Sequence, residues 1–135
     1  MRAVKIILFI AVLIGLAQSF RMRKDNKMSL KGSVGKELVI EMKGNATTGF
    51  AWYLLTGEYS SSLKALNLES DGSAKDYVTD PNPQGFVGVP GKWLFKFMPL
   101  QKGTIRLEFE YKQSWIPTPE NREERNITEI TVEIN

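Results

Sequence analysis

Apolar and polar residues alternate along most of the chain with a period of two, which is typical of β-strands with one buried and one solvated face. Seven segments carry this pattern or a short apolar version of it, and they lie at residues 28–30, 38–42, 50–55, 63–68, 93–97, 105–111 and 130–134. Turn-forming residues separate them, and no amphipathic helix of more than two turns is present. The pattern predicts an all-β fold, an Ig-like antiparallel β-sandwich of about seven to eight strands.

The first 19 residues are predicted to be a secretory signal peptide. Arg2 and Lys5 precede an apolar run of about a dozen residues, too short for the roughly 20 needed to span a bilayer. Small residues flank Gln18, as at a cleavage site. The alternative is an uncleaved signal anchor. We expect cleavage after Ser19, a single mature domain at residues 20–135 with no membrane attachment, and either secretion or delivery to lysosome-like or phagosome-like vesicles.

Charge and composition exclude several classes of function. The net charge of +3 falls to +1 when Arg2 and Lys5 leave with the leader, which has no acidic residue, so no basic surface for nucleic acid is predicted. The chain has no cysteine and no histidine. These absences exclude disulfides, the common zinc sites and catalysis by Cys/His or Ser/His/Asp groups. We therefore predict no cofactor and no metal.

An enzyme of this composition would depend on carboxylates. Glu108 and Glu110 lie on the same face of one predicted strand, but that spacing is more simply explained by a solvated strand face. The sequence thus predicts a protein that is not an enzyme.

Three connections between the predicted strands are unusual. Residues 45–49 combine Asn, two Thr and Gly, and residues 69–91 and 112–125 are longer than structureless loops inside compact domains usually are. The second connection ends in three glycines and a proline, and the third begins near Trp115. When the strands are assigned in Ig order, all three connections fall at the same end of the sandwich and form one composite binding surface.

The residues in these connections resemble the motifs of the chagasin-type inhibitors of cysteine peptidases, the I42 family. Residues 45–50 read Asn-Ala-Thr-Thr-Gly-Phe and are similar to the family's N-P-T-T-G-[FY], followed by Ala-Trp. Residues 88–91 resemble its G-x-G-G loop, and residues 113–115 stand where it carries R-P-W. The resemblance spans the whole predicted mature domain and implies an Ig-like sandwich with a wedge of three loops.

The resemblance implies a reversible, tight-binding inhibitor of papain-like (clan CA) peptidases such as cathepsins, acting as a monomer. The first loop would block the catalytic cysteine, Trp115 would pack beyond the catalytic histidine, and the second loop would lie on the other side of the cleft. Asn45 and Ala46 would shape the first loop. The implied peptidase-binding residues are Thr47, Thr48, Gly49, Phe50, Gly88, Val89, Pro90, Gly91, Gln113, Ser114 and Trp115.

Some residues depart from the family pattern. Ala46 replaces a proline and makes Asn45 a candidate N-glycosylation site, and Asn126 is a second one. Pro90 stands where glycine is usual, and the third loop lacks the arginine and proline of R-P-W. The residues leave open a second function, a secreted Ig-like adhesion or carbohydrate-binding module without inhibitory activity. They do not identify the target peptidase.

Overall fold

The computed structural model describes residues 6–10, for which only the backbone is considered, and residues 27–55 and 61–135. Two short 3-10 turns accompany the strands, at Ala46–Thr48 and Arg122–Glu124. The strands in these ranges are β1 (Ile6–Ile10), β2 (Lys27–Gly32), β3 (Leu38–Gly44), β4 (Phe50–Leu54), β5 (Leu63–Ala65), β6 (Asp76–Thr79), β7 (Gly91–Pro99), β8 (Gly103–Gln113) and β9 (Ile127–Ile134).

The strands form two sheets. One has the order β1-β3-β7-β5, with β6 also pairing with β7, and the other has the order β2-β9-β8-β4. Most neighbours are antiparallel, whereas β1 with β3 and β2 with β9 run parallel. The predicted all-β sandwich is confirmed.

The core lies between the sheets and consists of the inward residues of the alternating strands. Phe95 of β7 and Phe109 of β8 are both fully buried and meet edge to face, with ring centroids 4.8 Å apart. Trp52 of β4 is fully buried too, and its Nε1 donates to the Lys43 carbonyl at 3.0 Å. With no disulfide in the chain, the fold depends on this packing.

The period of two located most strands but not β6, nor β1, whose residues were assigned to the leader. Asp76–Thr79 fell inside the predicted connection 69–91 because its residues do not alternate between apolar and polar, and none of them is fully buried. The strand predicted at 63–68 is also shorter, ending at Ala65. Beyond it the Asn67 side chain continues the pairing, since its Oδ1 accepts from Lys96 N at 3.0 Å and its Nδ2 donates to Leu94 O at 2.7 Å.

Strand β1 belongs to the predicted leader. Ile6–Ile10 pairs in parallel with residues 38–42, at the outer edge of β3. The predicted cleavage site after Ser19 lies outside the described residues, so processing remains a prediction. Removal of the leader would leave β3 as an edge strand. Among the described residues, no helix has the length and apolar character needed to cross a membrane.

Candidate functional site: three loops at one end of the sandwich

Three loops meet at one end of the sandwich because of how the strands are paired. The last pair of β3 and β7 is Gly44 with Gly91, and the first pair of β4 and β8 is Phe50 with Gln113. The β3–β4 loop (residues 45–49), the β6–β7 loop (80–90) and the β8–β9 loop (114–126) therefore start from the same rim. This agrees with the expectation from Ig-like topology.

The β3–β4 loop is a closed 3-10 turn held by its own hydrogen bonds. The Asn45 side chain accepts from Thr47 N at 3.0 Å, and Thr48 Oγ1 donates to the Asn45 carbonyl at 2.7 Å. Gly49 ends the turn with φ 85°, where its N–H donates to Ala46 O at 3.0 Å. Only glycine adopts this left-handed backbone without strain. The loop is ordered before any partner binds.

Two tyrosine hydroxyls support this loop from below. The Tyr111 hydroxyl accepts from Asn45 N at 2.8 Å, and the Tyr77 hydroxyl accepts from Ala46 N at 3.2 Å. Gly44 makes this approach geometrically feasible, since a Cβ there would lie 2.7 Å from the Tyr111 ring. Sequence reasoning missed both tyrosines as parts of the site. Tyr111 continues the apolar face of β8. This position was the available sequence signal, because a half-buried phenol needs a hydrogen-bond partner.

The β3–β4 loop is tied to both of its neighbours. Asn45 Nδ2 donates to the Gly88 carbonyl at 3.0 Å, which joins it to the β6–β7 loop. On the other side, Gln113 Nε2 donates to the Thr48 carbonyl at 3.0 Å. The Trp115 ring covers Gly49 so closely that a Cβ there would overlap it. The three loops thus form one braced surface, with the β3–β4 loop in the middle.

The residues implied to bind a peptidase differ in their exposure. Gly91 is buried within β7, where a Cβ would lie 2.6 Å from the Tyr77 hydroxyl, so its backbone makes room for the tyrosine. Phe50 is half-buried and stacks on Tyr111, with centroids 5.0 Å apart. Gly49, Val89 and Gln113 are also half-buried. The exposed members of the set are Thr47, Thr48, Gly88, Pro90, Ser114 and Trp115.

Sequence reasoning also missed three apolar residues of the rim. Among the described residues, the four most exposed large hydrophobic side chains are Val87 at 95%, Phe86 at 68%, Trp115 at 63% and Ile116 at 50%. All four belong to the two outer loops. The sequence placed both loops at one end of the sandwich but did not show that these side chains would stay exposed there. The rim therefore has polar threonines in its middle and apolar side chains on both sides.

The carboxylates of β8 do not form a solvated face. Glu110 is only 2% exposed and binds the Arg125 guanidinium with both oxygens, at 2.7 and 3.0 Å. The hydrogen bonds that Arg125 donates to Glu110 raise the pKa of Arg125 above its usual value. Glu108 pairs with Arg122. The expectation of a solvated face was wrong for Glu110, because the arginine arrives from a connection whose course the sequence did not reveal. Both carboxylates therefore serve as ion-pair partners of arginine side chains.

The tips of the three loops carry no ionisable side chain. Residues 45–49, 84–90 and 113–119 contain no Asp, Glu, Lys or Arg. Within the described residues, no group of three or more Asp or Glu side chains is arranged to hold a metal ion. The rim can therefore bind a partner by shape, hydrogen bonds and apolar contact without first desolvating a charge.

Known proteins resemble the chain in sequence and in fold. Amoebiasin-2 of Entamoeba histolytica is 26% identical over 92 residues, which are 68% of each chain. The crystal structure of the cysteine protease inhibitor EhICP2 from the same organism superposes with a TM-score of 0.61 and 19% identity, covering 97% of both chains. PbICP-C, solved in complex with falcipain-2, gives a TM-score of 0.59 and 16% identity over 96% of this chain and 99% of that one.

A protein-family model also matches the chain. The model described as the chagasin family peptidase inhibitor I42 matches residues 31–130, which include all three loops of the rim. The match covers most of the chain and agrees with the motifs at residues 45–50, 88–91 and 113–115. The chain belongs to the chagasin family of peptidase inhibitors.

Proposed function

We propose that the protein is a reversible, tight-binding inhibitor of papain-like cysteine peptidases and has no enzymatic activity of its own. The observation that carries the proposal is the bracing of the β3–β4 loop. Hydrogen bonds to Gly88 and from Gln113 hold it between two apolar flanks, with Thr47 and Thr48 exposed at the tip. The relative PbICP-C, which shares the fold, is solved in complex with falcipain-2, and this supports a peptidase of that type as the partner.

The closed turn explains how such a loop blocks a peptidase without being cut. A peptidase cleaves a peptide bond that lies extended across its catalytic cysteine. The backbone of Ala46–Thr48 is instead a 3-10 turn, closed by the hydrogen bond from Gly49 N to Ala46 O. Opening it would break the contacts to both tyrosine hydroxyls and to the neighbouring loops. The tip fills the cleft while its peptide bonds stay out of productive register.

Pre-organisation accounts for the tight binding that we propose. Association loses less conformational entropy when a contact loop is already fixed. An interface of about 1,600 Å² is the usual size for a protease and its protein inhibitor. We assign such an interface to the three loops together, with Trp115 as the apolar anchor on one side. Trp is among the residues that most often dominate binding energy at interfaces.

We infer that the protein acts as a monomer in the secretory pathway, either outside the cell or in lysosome-like or phagosome-like vesicles. The leader predicted at residues 1–19 supports this proposed location. We also infer that active inhibitor has no glycan on Asn45, since its Nδ2 donates to Gly88 O and its Oδ1 accepts from Thr47. A sugar on that nitrogen would stand beside the loop tip. Asn126 remains the other candidate glycosylation site.

The test is titration of active papain with the purified protein. We expect stoichiometric loss of peptidase activity and recovery of uncut inhibitor by mass spectrometry. A variant with Thr48→Ala and Gly49→Ala should inhibit much more weakly. Full papain activity at micromolar wild-type protein contradicts the proposed function and favours an adhesion or carbohydrate-binding module. Inhibition that survives the double substitution contradicts the role of the β3–β4 loop.

A further inference from the structure

The tip of the β6–β7 loop exposes two adjacent apolar side chains. Phe86 is 68% and Val87 is 95% exposed, the two highest values for large hydrophobic residues in the described part of the chain. Single exposed apolar residues are common on protein surfaces. Two neighbours at the end of a loop that already faces a binding rim are less common, and such apolar surface typically marks an interaction site.

The chain holds this pair in place without burying it. Asn82 Nδ2 donates to Phe86 O at 2.7 Å, and Asn82 Oδ1 accepts from Phe86 N at 3.0 Å. Gly85 has φ 73° and donates its N–H to Asn82 O at 3.1 Å, which completes the turn. The Asn82 side-chain amide thus makes the same two hydrogen bonds to the Phe86 backbone that a neighbouring strand would make, and these bonds close the turn at residues 82–86. The apolar pair is ordered by polar contacts behind it, so its outer surface is left for a partner.

The turn is continuous with the inhibitory rim. Gly88, which directly follows Val87, accepts the hydrogen bond from Asn45 Nδ2. A Cβ at Gly88 would lie 3.9 Å from Thr47 Oγ1, so the two loops are in close contact. Any partner that receives Thr47 in a cleft therefore has a surface beside Val87.

The chemistry of the tip defines the surface that it fits. Residues 84–90 have no ionisable side chain, and the neighbouring residues 45–49 have none either. Charge complementarity therefore does not select the partner at this position. Phe and Val instead gain free energy by removing apolar area from water. The matching surface is an apolar wall next to the peptidase cleft.

We propose that Phe86 and Val87 form a selectivity contact that docks on the apolar wall of the substrate cleft of the target peptidase. This inference rests on the proposed function and adds to it. Thr47 and Thr48 block the catalytic centre, which papain-like enzymes share. The apolar pair gains free energy only where that wall is apolar, so it determines which peptidases are inhibited most tightly.

The test measures the inhibition constant Ki of the full chain and of a Phe86→Ser, Val87→Ser double variant. Both are titrated against a panel of papain-like peptidases with different cleft walls. We expect Ki to rise about tenfold or more for the enzymes that the wild type inhibits best, mainly through faster dissociation. The rise should be smaller for enzymes with polar walls. Leu100→Ser is the matched control, because Leu100 is 48% exposed but lies in the β7–β8 turn at the opposite end of the sandwich.

A second variant, Asn82→Ala, keeps the apolar side chains and removes the clamp. It should accelerate hydrogen exchange at the Phe86 amide and raise Ki by a smaller factor than the double variant. These two results together support a positioned apolar contact rather than a general loss of stability, which the melting temperature checks separately.

Three outcomes overturn the inference. If the double variant inhibits every enzyme within twofold of wild type, Phe86 and Val87 make no selective contact, although the proposed function stands. If wild-type protein inhibits no papain-like enzyme, both proposals fail together. If sedimentation shows a wild-type dimer that the double substitution dissociates, the pair binds a second copy of this chain instead.

Discussion

Replacing Gly49 by alanine tests whether the loop tip and the tryptophan work as one unit. Gly49 has φ 85°, a left-handed conformation that strains any residue with a Cβ. The added Cβ would also lie 2.9 Å from Cζ3 of Trp115 and closer still to Cη2. The ring cannot keep its place. One methyl group therefore disturbs both the central loop and its apolar flank.

The two effects have different expected sizes. The backbone strain alone should lower the free energy of unfolding by about 1–2 kcal/mol. Displacing Trp115 removes an aromatic anchor, and loss of such a residue typically weakens binding by about 2 kcal/mol or more. Because about 1.4 kcal/mol is a tenfold change in affinity, we expect Ki for papain to rise about 30-fold or more.

The chain offers a matched control in Gly35, which has φ 81° and no atom within 4 Å of an added Cβ. Gly35→Ala should lose a similar amount of stability in urea unfolding but inhibit papain like wild type. Trp115→Ala should raise Ki as much as Gly49→Ala does while leaving stability nearly unchanged. The reasoning is refuted if Gly49→Ala inhibits normally, or if the Gly35 variant loses inhibition to the same extent.

Three further predictions concern the support of the loop, the buried ion pair and the response to pH. Tyr111→Phe removes the acceptor for Asn45 N, so it should lower the free energy of unfolding by about 1 kcal/mol, accelerate exchange of the Asn45 amide and raise Ki. Glu110→Ala leaves the Arg125 guanidinium without its bidentate partner and should lower the free energy of unfolding by about 3 kcal/mol or more in urea titrations. Hydrogen bonds from Ser73 lower the pKa of Asp71 below its usual 3.8, so this carboxylate contributes stability above about pH 4 and loses it as pH falls further. With no histidine to protonate, the urea midpoint should be similar at about pH 7 and about pH 5, and lower at about pH 3.

Each of these has a control and a contradicting result. Tyr53→Phe alters a tyrosine outside the loop support and should leave Asn45 exchange unchanged. Arg106→Ala breaks the exposed pair with Glu129 and should change stability by less than about 1 kcal/mol. An equal effect of the Arg106 and Glu110 substitutions contradicts the burial argument, and a fall in the urea midpoint between about pH 7 and about pH 5 contradicts the assignment to carboxylates.

Most of the fold could be read from the period of two, because burial of one strand face imposes it directly on the residues. Asp76–Thr79 was not predicted, since it pairs with the edge of β7 through its backbone and buries no side chain fully. Hydrogen bonding between backbones leaves no residue pattern. The pairing continued by the Asn67 side chain was not predicted for a different reason: its partners Leu94 and Lys96 are 27 and 29 residues away in the sequence.

The candidate site was predicted in part. The motifs at residues 45–50, 88–91 and 113–115 indicated the three loops, and the alternation of strand directions placed them at one end. The bracing between the loops could not be predicted, because Asn45 and Gly88 are 43 residues apart and Gln113 and Thr48 are 65 apart. Such contacts depend on loop backbones that local sequence preferences do not fix.

The sequence by itself determined the β-sandwich, the absence of cysteine and histidine chemistry, and the family motifs, since composition, periodicity and short motifs are local properties of the chain. Only the tertiary structure decided how Tyr77 and Tyr111 support the loop, that Glu110 is buried against Arg125, and that Phe86, Val87, Trp115 and Ile116 stay exposed on the rim. These depend on distances between residues far apart in sequence, which packing of the two sheets sets.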